Sequence, residues 1–298
     1  MKLNKLSLKD KKLFENYLAL GRHDLAVFSF ANIYIWKPLY EINWVLLEGN
    51  LCVFFKDRMG CFMYLPALAK QRRPRVLKEA FSIMDGINEN KDLSRIENIE
   101  ENELEYYHAL GYLCQQKFPD YLCLRNELRY LKGNKFKSQR ASCNYFIKHY
   151  TFHVDTLKPK DSGECLDLFD CWKKTRQEKY SQDDYRGMLE DSQKVIRRAF
   201  QDYRALGFKG IAVRVNKKIK AFSFGYPVNR DIFCILYEVA DLSLKGLAQF
   251  IFREFADKLS GYRFINIMDD SGLKNLEKTK FSYKPLRLIP SYIATRDA

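Results

Sequence analysis

Hydrophobic and polar positions along the chain predict the same series of elements twice. In each half, three runs with strand-like alternation are followed by a stretch with helical spacing. The strand-like runs cover residues 44–48, 51–56 and 61–65 in the first half and 211–215, 221–226 and 233–239 in the second, and the helical stretches cover 75–87 and 244–259. Turn sequences such as Gly49-Asn50 and Asn216-Lys217-Lys218 separate the runs, as hairpin connections require.

Two helical patterns precede each set of strands. They cover residues 7–20 and 23–36 in the first half and 163–176 and 183–207 in the second, where a short strand at 152–157 comes before them. The shared order is therefore strand, two helices, a three-stranded meander, helix, strand, helix, strand. This order predicts an α/β fold with a mixed sheet in each half.

Two short blocks of sequence support a duplication. Arg95–Glu101 aligns with Arg263–Asp269 at an offset of 168 residues, and Pro119–Arg125 aligns with Pro290–Arg296 at an offset of 171. Repeats of this kind indicate that one structural unit occurs twice. We therefore predict two domains, 1–131 and 132–298, with the boundary in the basic stretch around Gly133.

The junction between the last meander strand and its helix is the first candidate site. A right-handed crossover places the helix N-terminus at the carboxyl end of the strand, where backbone N–H groups bind phosphate. Asp241 or Ser243 is placed to cap this helix, Lys245 adds a cation, and the first turn is Gly246-Leu247-Ala248. The small residues either let a cofactor approach the backbone or serve only the packing of the helix. The first half has no glycine at its equivalent junction, which predicts a degenerate, non-catalytic copy.

Carboxylates near the same sheet edge are the candidate catalytic groups. Glu238 lies within an apolar run, where a carboxylate either pairs with a cation or has its pKa raised towards neutrality, as suits a general base. Asp269 and Asp270 follow the next strand, close to Asn266, and are placed to hold an ammonium group or to assist proton transfer. Asp270-Ser271-Gly272 is also an ordinary turn sequence.

A basic segment lies between the two halves, and its pattern predicts a helix over 135–150. Lys137, Arg140, Asn144 and Lys148 share one face of that helix, Lys132 and Lys135 lie just before or at its start, and Phe136, Cys143 and Ile147 occupy another face. Such a face is suited to phosphate contacts but carries no code for reading bases.

The overall composition favours an anionic partner. The 298 residues carry a net charge of +14, with four cations and no acid in Lys70–Arg75. RNA, a phosphate-bearing cofactor and a lipid headgroup all fit this excess, as does a merely solvated surface. No apolar run reaches the roughly 18 residues of a membrane helix, and the start lacks a secretory signal, so we expect a soluble, cytoplasmic protein.

Cysteine and histidine content argues against a metal site. The eight cysteines fall mostly in apolar segments without a C-x-x-C motif, and only four histidines are available as partners. We therefore expect reduced, buried thiols, no zinc site and no Cys–His nucleophile.

Two blocks of the chain resemble a known family. The segment Tyr121–Lys148, with its core Leu-Lys-Gly-Asn-Lys-Phe-Lys-Ser-Gln-Arg, resembles the basic helix that opens the second unit of tandem GNAT-like proteins. Asp241–Phe252 followed by Ile265–Leu273 is similar to the late block of the same proteins. The family is the phosphatidylglycerol lysyltransferase C-terminal domain family, in particular its stand-alone soluble bacterial members, and more distantly the Fem-type aminoacyl transferases.

This resemblance implies two tandem GNAT-like (acyl-CoA N-acyltransferase) domains and transfer of an acyl or aminoacyl group to an amine or hydroxyl. The donor is charged tRNA in the lysyltransferases, whose acceptor is a lipid headgroup, and acetyl-CoA in ordinary GNAT enzymes. By position, Lys132, Lys135, Arg140 and Asn144 would line the phosphate-bearing side, and Glu238, Asp241 and Asp269 would surround the transferred group. The pyrophosphate loop of CoA-dependent GNAT enzymes is represented here only by Leu244–Ala248.

The leading functional hypothesis is therefore an acyl or aminoacyl transferase whose second domain holds the site, with aminoacyl-tRNA or acyl-CoA as donor. The alternative is a catalytically silent GNAT pair that binds RNA or another anionic ligand, with or without transient contact at a membrane surface. Oligomeric state, donor and acceptor stay open at this stage.

Overall fold

A computed structural model describes residues 2–179 and 183–296. The chain divides into two compact units. The first comprises the residues up to Asp120 together with those from Leu288 onwards, and the second comprises Tyr121–Arg287. Within the described residues, no helix is long and apolar enough to cross a membrane.

Each unit is built on a seven-stranded mixed sheet. The strands, in chain order, are β1 (Asn4–Lys5), β2 (Glu41–Leu47), β3 (Asn50–Lys56), β4 (Cys61–Met63), β5 (Ile96–Glu100), β6 (Tyr112–Gln116), β7 (Asp120–Leu124), β8 (Phe152–Thr156), β9 (Lys209–Val215), β10 (Lys218–Pro227), β11 (Ile232–Ala240), β12 (Phe264–Asn266), β13 (Arg287–Ile289) and β14 (Ser291–Arg296). The strand orders are β1-β2-β3-β4-β5-β14-β6 and β13-β7-β12-β11-β10-β9-β8.

The helices are α1 (Lys11–Leu18), α2 (Phe30–Ile35), α3 (Pro74–Asp85), α4 (Leu104–Ala109), α5 (Arg125–Tyr130), α6 (Lys137–His149), α7 (Ser162–Lys179), α8 (Asp183–Gln201), α9 (Tyr203–Leu206), α10 (Leu247–Lys258) and α11 (Lys274–Ser282). In the first unit, Val76, Ala80 and Phe81 of α3 form a core with the sheet residues Phe54 and Ile96. In the second unit, α6 and α10 cover the equivalent face of the sheet.

The two copies share their hairpin geometry as well as their element order. Glu48 and Gly49 between β2 and β3 have φ angles of 46° and 78°, and Asn216 and Lys217 between β9 and β10 have φ angles of 51° and 64°. Two consecutive left-handed residues are typical of the type I′ turn that joins adjacent antiparallel strands.

The duplicated blocks lie at equivalent places, but in exchanged sheets. Strand β7 pairs with β12 of the second sheet, and β14 pairs with β5 and β6 of the first. The compact units consequently divide the chain at Asp120, whereas the sequence predicted a division at residue 131. The difference arises because residues 121–124 complete the second sheet before the basic segment begins.

The structure also corrects three local predictions. The predicted helix over 23–36 is reduced to α2, because His23 and the backbone N–H of Asp24 bind the Glu100 carboxylate and hold the start of this segment out of a helix. The predicted basic helix over 135–150 begins as a 3₁₀ turn, and α6 itself starts at Lys137. Phe146 is buried on its apolar face, whereas Ile147 is exposed.

Candidate functional site

Strands β11 and β12 of the second unit separate and leave an opening in the sheet. Their parallel pairing begins with Ile232 of β11 opposite Phe264 of β12 and ends with Cys234 opposite Asn266. Strand β11, however, continues to Ala240. No other described strand pairs with this side of β11, whose far side pairs with β10. The backbone groups along the free edge are therefore available to a ligand at the carboxyl end of parallel strands, a common ligand position in α/β folds.

A β-bulge lies at the same point of β11. Phe224 pairs with Tyr237 and Gly225 pairs with Ile235, so Leu236 is an extra residue on β11. A bulge of this kind turns the following side chains to the opposite face of the sheet. Tyr237 consequently points towards α8, where its hydroxyl donates to the Ser192 carbonyl at 3.0 Å.

Glu238 lies on β11 beyond the opening and faces a buried environment. Its Oε2 atom is inaccessible and has no hydrogen-bond partner, and burial raises the pKa of this carboxyl to about 8. The opposing residue on β10 is Ser223, whose Oγ is also buried without a partner. Of the two alternatives read from the sequence, the unpaired carboxyl with a raised pKa is the one observed. Two adjacent polar groups without partners are unusual in a protein interior and mark a site of interest.

Two further titratable side chains lie near this carboxyl. Burial raises the pKa of the Tyr283 phenol well above its usual value and that of the Cys143 thiol to about 11, and in both cases the Glu238 charge adds to the shift. The Tyr283 ring packs against Phe252 of α10 with ring centroids 4.1 Å apart and an angle of 46° between the ring planes. The surroundings of Glu238 are thus apolar and contain hydroxyl and thiol groups.

Asp241 organises the turn after β11. Its Oδ2 accepts a hydrogen bond from Lys220 Nζ at 2.8 Å, and its Oδ1 accepts from the Ser243 backbone N–H and hydroxyl at 3.0 and 2.6 Å. Burial opposes ionisation, but the bonds from Lys220 and Ser243 lower the pKa of Asp241 below its usual value. The prediction that Asp241 or Ser243 caps α10 is wrong, because an added turn up to Gly246 separates them from the first helical residue, Leu247.

Gly246 is explained by helix packing. Its φ angle is +85°, and a Cβ atom at this position would lie 2.1 Å from the Ser142 carbonyl oxygen of α6. Lys245 places its ammonium 4.6 Å from the centre of the Tyr145 ring on the same helix. Leu247 is fully buried and Ala248 is half-buried. The space predicted for a cofactor beside Gly246 is therefore occupied by α6.

The carboxylates after β12 stabilise their own loop. Asp269 Oδ1 accepts hydrogen bonds from the backbone N–H and hydroxyl of Ser271 at 2.7 and 3.1 Å. Asp270 is buried and accepts from the Gly272 N–H at 2.8 Å and from the Tyr121 hydroxyl. Asn266, also buried, accepts from the Met268 N–H at 2.7 Å.

Several cations of the basic segment are held by neighbouring groups. Lys135 forms an ion pair of 2.6 Å with Glu127, and Arg140 donates to the carbonyls of Leu131 and Gly133. Lys132 lies 5.1 Å from the Tyr130 ring centre, and Lys137 is exposed. Asn144 lines a cavity of about 290 Å³ together with Arg140 and Arg253.

A cavity of about 620 Å³ lies in the second unit at the carboxyl end of β11. Helix α7 contributes Asp167 and Trp172, the start of β10 contributes Lys220, and Asp241 directly follows the end of β11. Sequence reasoning missed Asp167, Trp172 and Lys220, because they come from elements far apart in the chain. The sequence did carry one sign of this cavity, the three cations Lys217, Lys218 and Lys220 next to a hairpin turn.

The predicted site residues thus fall into separate groups. Glu238 lies with Ser223 and Tyr283, Asp241 with Ser243 and Lys220, and Asp269 and Asp270 in the loop beside Tyr121. The cations of the basic segment form a further group on α6 and before it. Within residues 2–179 and 183–296, no set of His, Cys, Asp and Glu side chains could hold a metal ion.

Solved structures of other proteins have the same fold. A conserved protein of unknown function from Bacteroides thetaiotaomicron is 26% identical, with a TM-score of 0.90 and full coverage of both chains. L-PGS from Bacillus licheniformis is 17% identical, with a TM-score of 0.67 and coverage of 98% of this chain and 93% of that one. A tandem GNAT protein from the clavulanic acid biosynthesis pathway is 8% identical, with a TM-score of 0.53 and coverage of 98% and 97%.

These similarities confirm the predicted GNAT-like α/β fold. No curated protein matches the sequence. The family model described as phosphatidylglycerol lysyltransferase, C-terminal, matches residues 21–295 and confirms the family resemblance. The chain therefore belongs to the phosphatidylglycerol lysyltransferase C-terminal family.

Proposed function

We propose that the protein transfers an aminoacyl group from aminoacyl-tRNA to an amine or hydroxyl acceptor at the opening between β11 and β12. The observation that carries this proposal is the unpartnered carboxyl of Glu238 beyond the opening. With a pKa of about 8, this group takes up and returns a proton near neutral pH, as a general base must.

The proposed reaction forms one bond and breaks one. The acceptor nitrogen or oxygen attacks the carbonyl carbon of the aminoacyl ester and loses its proton to Glu238. The ester C–O bond then breaks, and Glu238 returns the proton to the ribose oxygen that leaves. Backbone N–H groups on the free edge of β11 are the candidate donors to the developing oxyanion.

The cavity of about 620 Å³ is the candidate site for the amino-acid moiety. Trp172 gives it an apolar wall, and Asp167 is the candidate carboxylate for an ammonium group. Asp241, on the same wall, is already bound by Lys220 and Ser243. A free aminoacyl ester carries such an ammonium, whereas an acetyl group does not. The phosphates of CoA would be expected at the start of the helix beside Gly246. Because Ser142 fills this space, an ester donor is favoured over CoA.

Single-turnover transfer tests the proposal directly. Lysyl-tRNA and alanyl-tRNA would serve as donors with phosphatidylglycerol as acceptor, and acetyl-CoA with a polyamine would form the second arm. We expect transfer from an aminoacyl-tRNA, and loss of about 10²- to 10⁴-fold in its rate with Glu238→Gln. Glu178→Gln, at an exposed position of α7, is the matched control. An unchanged rate in Glu238→Gln contradicts the proposed base, and tRNA binding without transfer from any donor favours the silent binding protein.

A further inference from the structure

The first unit contains a cavity of about 520 Å³ at the place equivalent to the 620 Å³ cavity of the second unit. Each cavity lies between a helix that precedes the meander (α1 in the first unit, α7 in the second), the type I′ hairpin turn and the segment that follows the third meander strand. In the first unit these elements contribute Tyr17, Glu48 and Lys70, respectively. The duplicated fold has therefore kept a cavity in the copy that the sequence predicted to be degenerate.

The charge of the walls differs between the two copies. Three carboxylates (Glu164, Asp167 and Asp241) and three lysines (Lys217, Lys218 and Lys220) line the cavity of the second unit, so its formal charges balance. The cavity of the first unit has Glu48 as its one acidic lining residue among those described, against Lys70 and Arg73. The first cavity thus has an excess of positive charge, which suits an anion, whereas the second has none.

The segment beside the first cavity carries more cations than the nearby acids neutralise. Glu48 pairs with Arg73 at 3.1 Å and with Arg75 at 3.5 Å, and Glu103 contacts Arg72. Lys70 is exposed and has no described partner. Helix α3 begins directly after Arg73, so the positive end of its dipole adds to this field.

Asn50 supplies an independent sign of a missing partner. Only 1% of this residue is exposed, and its Nδ2 donates to the Glu48 carbonyl at 3.1 Å. Its Oδ1, however, is buried without a hydrogen-bond partner. Asn50 lines both the large cavity and an adjoining void of about 10 Å³, which is about the size of one water molecule. An acceptor left without a partner in such a wall calls for a hydroxyl or a water from the cavity.

We infer that the first unit binds a phosphate ester bearing hydroxyl groups, with Lys70 and Arg73 on the phosphate and Asn50 on a hydroxyl, directly or through a water. The ligand combines an anionic group for the cations with a donor for the amide oxygen. A soluble sugar or glycerol phosphate and the headgroup of an anionic phospholipid share this chemistry. The inference concerns the first unit alone and holds whether or not the second unit transfers an aminoacyl group.

Calorimetric titration of the full chain with sn-glycerol 3-phosphate, inorganic phosphate and glycerol tests the soluble source. We expect the ester to bind most tightly and its affinity to fall with rising salt. Lys70→Ala should weaken binding about tenfold, and Lys70→Ala with Arg73→Ala about 100-fold. Lys56→Ala with Arg58→Ala removes the same charge from the β3–β4 hairpin and should leave binding unchanged. Lys70 is exposed and unpaired, so its single variant keeps the test valid if the double variant misfolds.

Vesicle sedimentation distinguishes the lipid source. Vesicles of phosphatidylglycerol with phosphatidylcholine would be compared with phosphatidylcholine alone, using the same variants. The site is supported if the protein binds the soluble ester or the phosphatidylglycerol vesicles and Lys70→Ala weakens that binding. Absence of binding to both sources overturns it, as does binding that the Lys70 and double variants leave intact. A further result would also overturn the proposed site: the protein binds tRNA through Lys70 and Arg73 but binds no phosphate ester. That result would indicate a nucleic-acid surface.

Discussion

Ser223 and Glu238 face each other across β10 and β11, and each has a buried oxygen without a hydrogen-bond partner. Directly opposite residues of an antiparallel pair have Cβ atoms about 4.5–5.5 Å apart, so one water or one ligand atom can bridge them. The pair combines a hydroxyl donor with a carboxyl of raised pKa. It is the part of the opening best suited to handle a proton.

The buried carboxyl should make stability depend on pH. Its folded pKa of about 8 exceeds the ordinary value of 4.5, so the folded state binds the proton more tightly than the unfolded state. The stability contribution of the protonated form is therefore present below pH 4.5 and is lost as the pH rises towards 8. Glu238→Gln should match the wild type near pH 4 and exceed its free energy of unfolding by roughly 2–4 kcal/mol at pH 8.5.

Denaturant unfolding at the two pH values measures this difference. Trp172 is the one tryptophan of the second unit, so a background with Trp36→Phe and Trp44→Phe reports that unit by fluorescence. Equal stability of the wild type and Glu238→Gln at pH 8.5 would show that the carboxyl is solvated or paired.

Ser223 should tune the proton acceptor. If the transfer reaction uses Glu238 as base, its rate rises with pH through an apparent pKa of about 8. If a water bridges the Ser223 hydroxyl to the Glu238 carboxylate, Ser223→Ala breaks a link that stabilises the charged form, so the rise should move to higher pH. Ser223→Thr keeps the hydroxyl and should keep the wild-type profile. Identical profiles in all three proteins would assign Ser223 a packing role only.

Gly246 should be intolerant of a side chain for two separate reasons. A Cβ atom would lie 2.1 Å from the Ser142 carbonyl oxygen, and the φ angle of +85° disfavours any L residue. We expect Gly246→Ala to cost about 2–4 kcal/mol of folding free energy, measured by chemical unfolding. Gly187→Ala in α8, where nothing lies within 4 Å of the added Cβ, should instead stabilise by about 0.5–1 kcal/mol. A tolerated Gly246→Ala would mean that α6 can move away from α10.

Cysteine labelling should single out one thiol. Cys171 is exposed and lines the 620 Å³ cavity, whereas burial raises the pKa of Cys52 to about 12 and of Cys143 to about 11. Because the thiolate is the reactive form, we expect one fast reaction with a disulfide reagent, which Cys171→Ser removes. An aminoacyl ligand in the cavity should slow this reaction. Several thiols reacting at the same fast rate would contradict the described burial.

Local sequence patterns were sufficient for much of the second unit. Alternating apolar residues located β9, β10 and β11, and the isolated carboxylate in an apolar run located Glu238 and its raised pKa. Helical spacing placed α10 within three residues of its observed start at Leu247. These features depend on neighbours in the chain, which a single sequence records directly.

Features that depend on distant contacts were not predictable. Gly246 suggested room for a ligand, but the backbone that fills this room belongs to α6, about a hundred residues earlier in the chain. Likewise, Glu100 holds His23 and Asp24 out of the predicted helix from 76 residues or more away. The cavity lined by Trp172 and Lys220 arises only when α7 packs against the β9–β10 hairpin.

The placement of β14 between β5 and β6 has a consequence for biosynthesis. During translation, the ribosome delivers β6 long before it delivers residues 291–296, which form β14. Until then, β6 has no strand through which it can join β5 and the rest of the sheet. Cotranslational folding of this sheet therefore stops at an incomplete intermediate until residues 291–296 have been made. A nascent chain stalled before residue 291 should accordingly remain more sensitive to protease around β6 than the released protein.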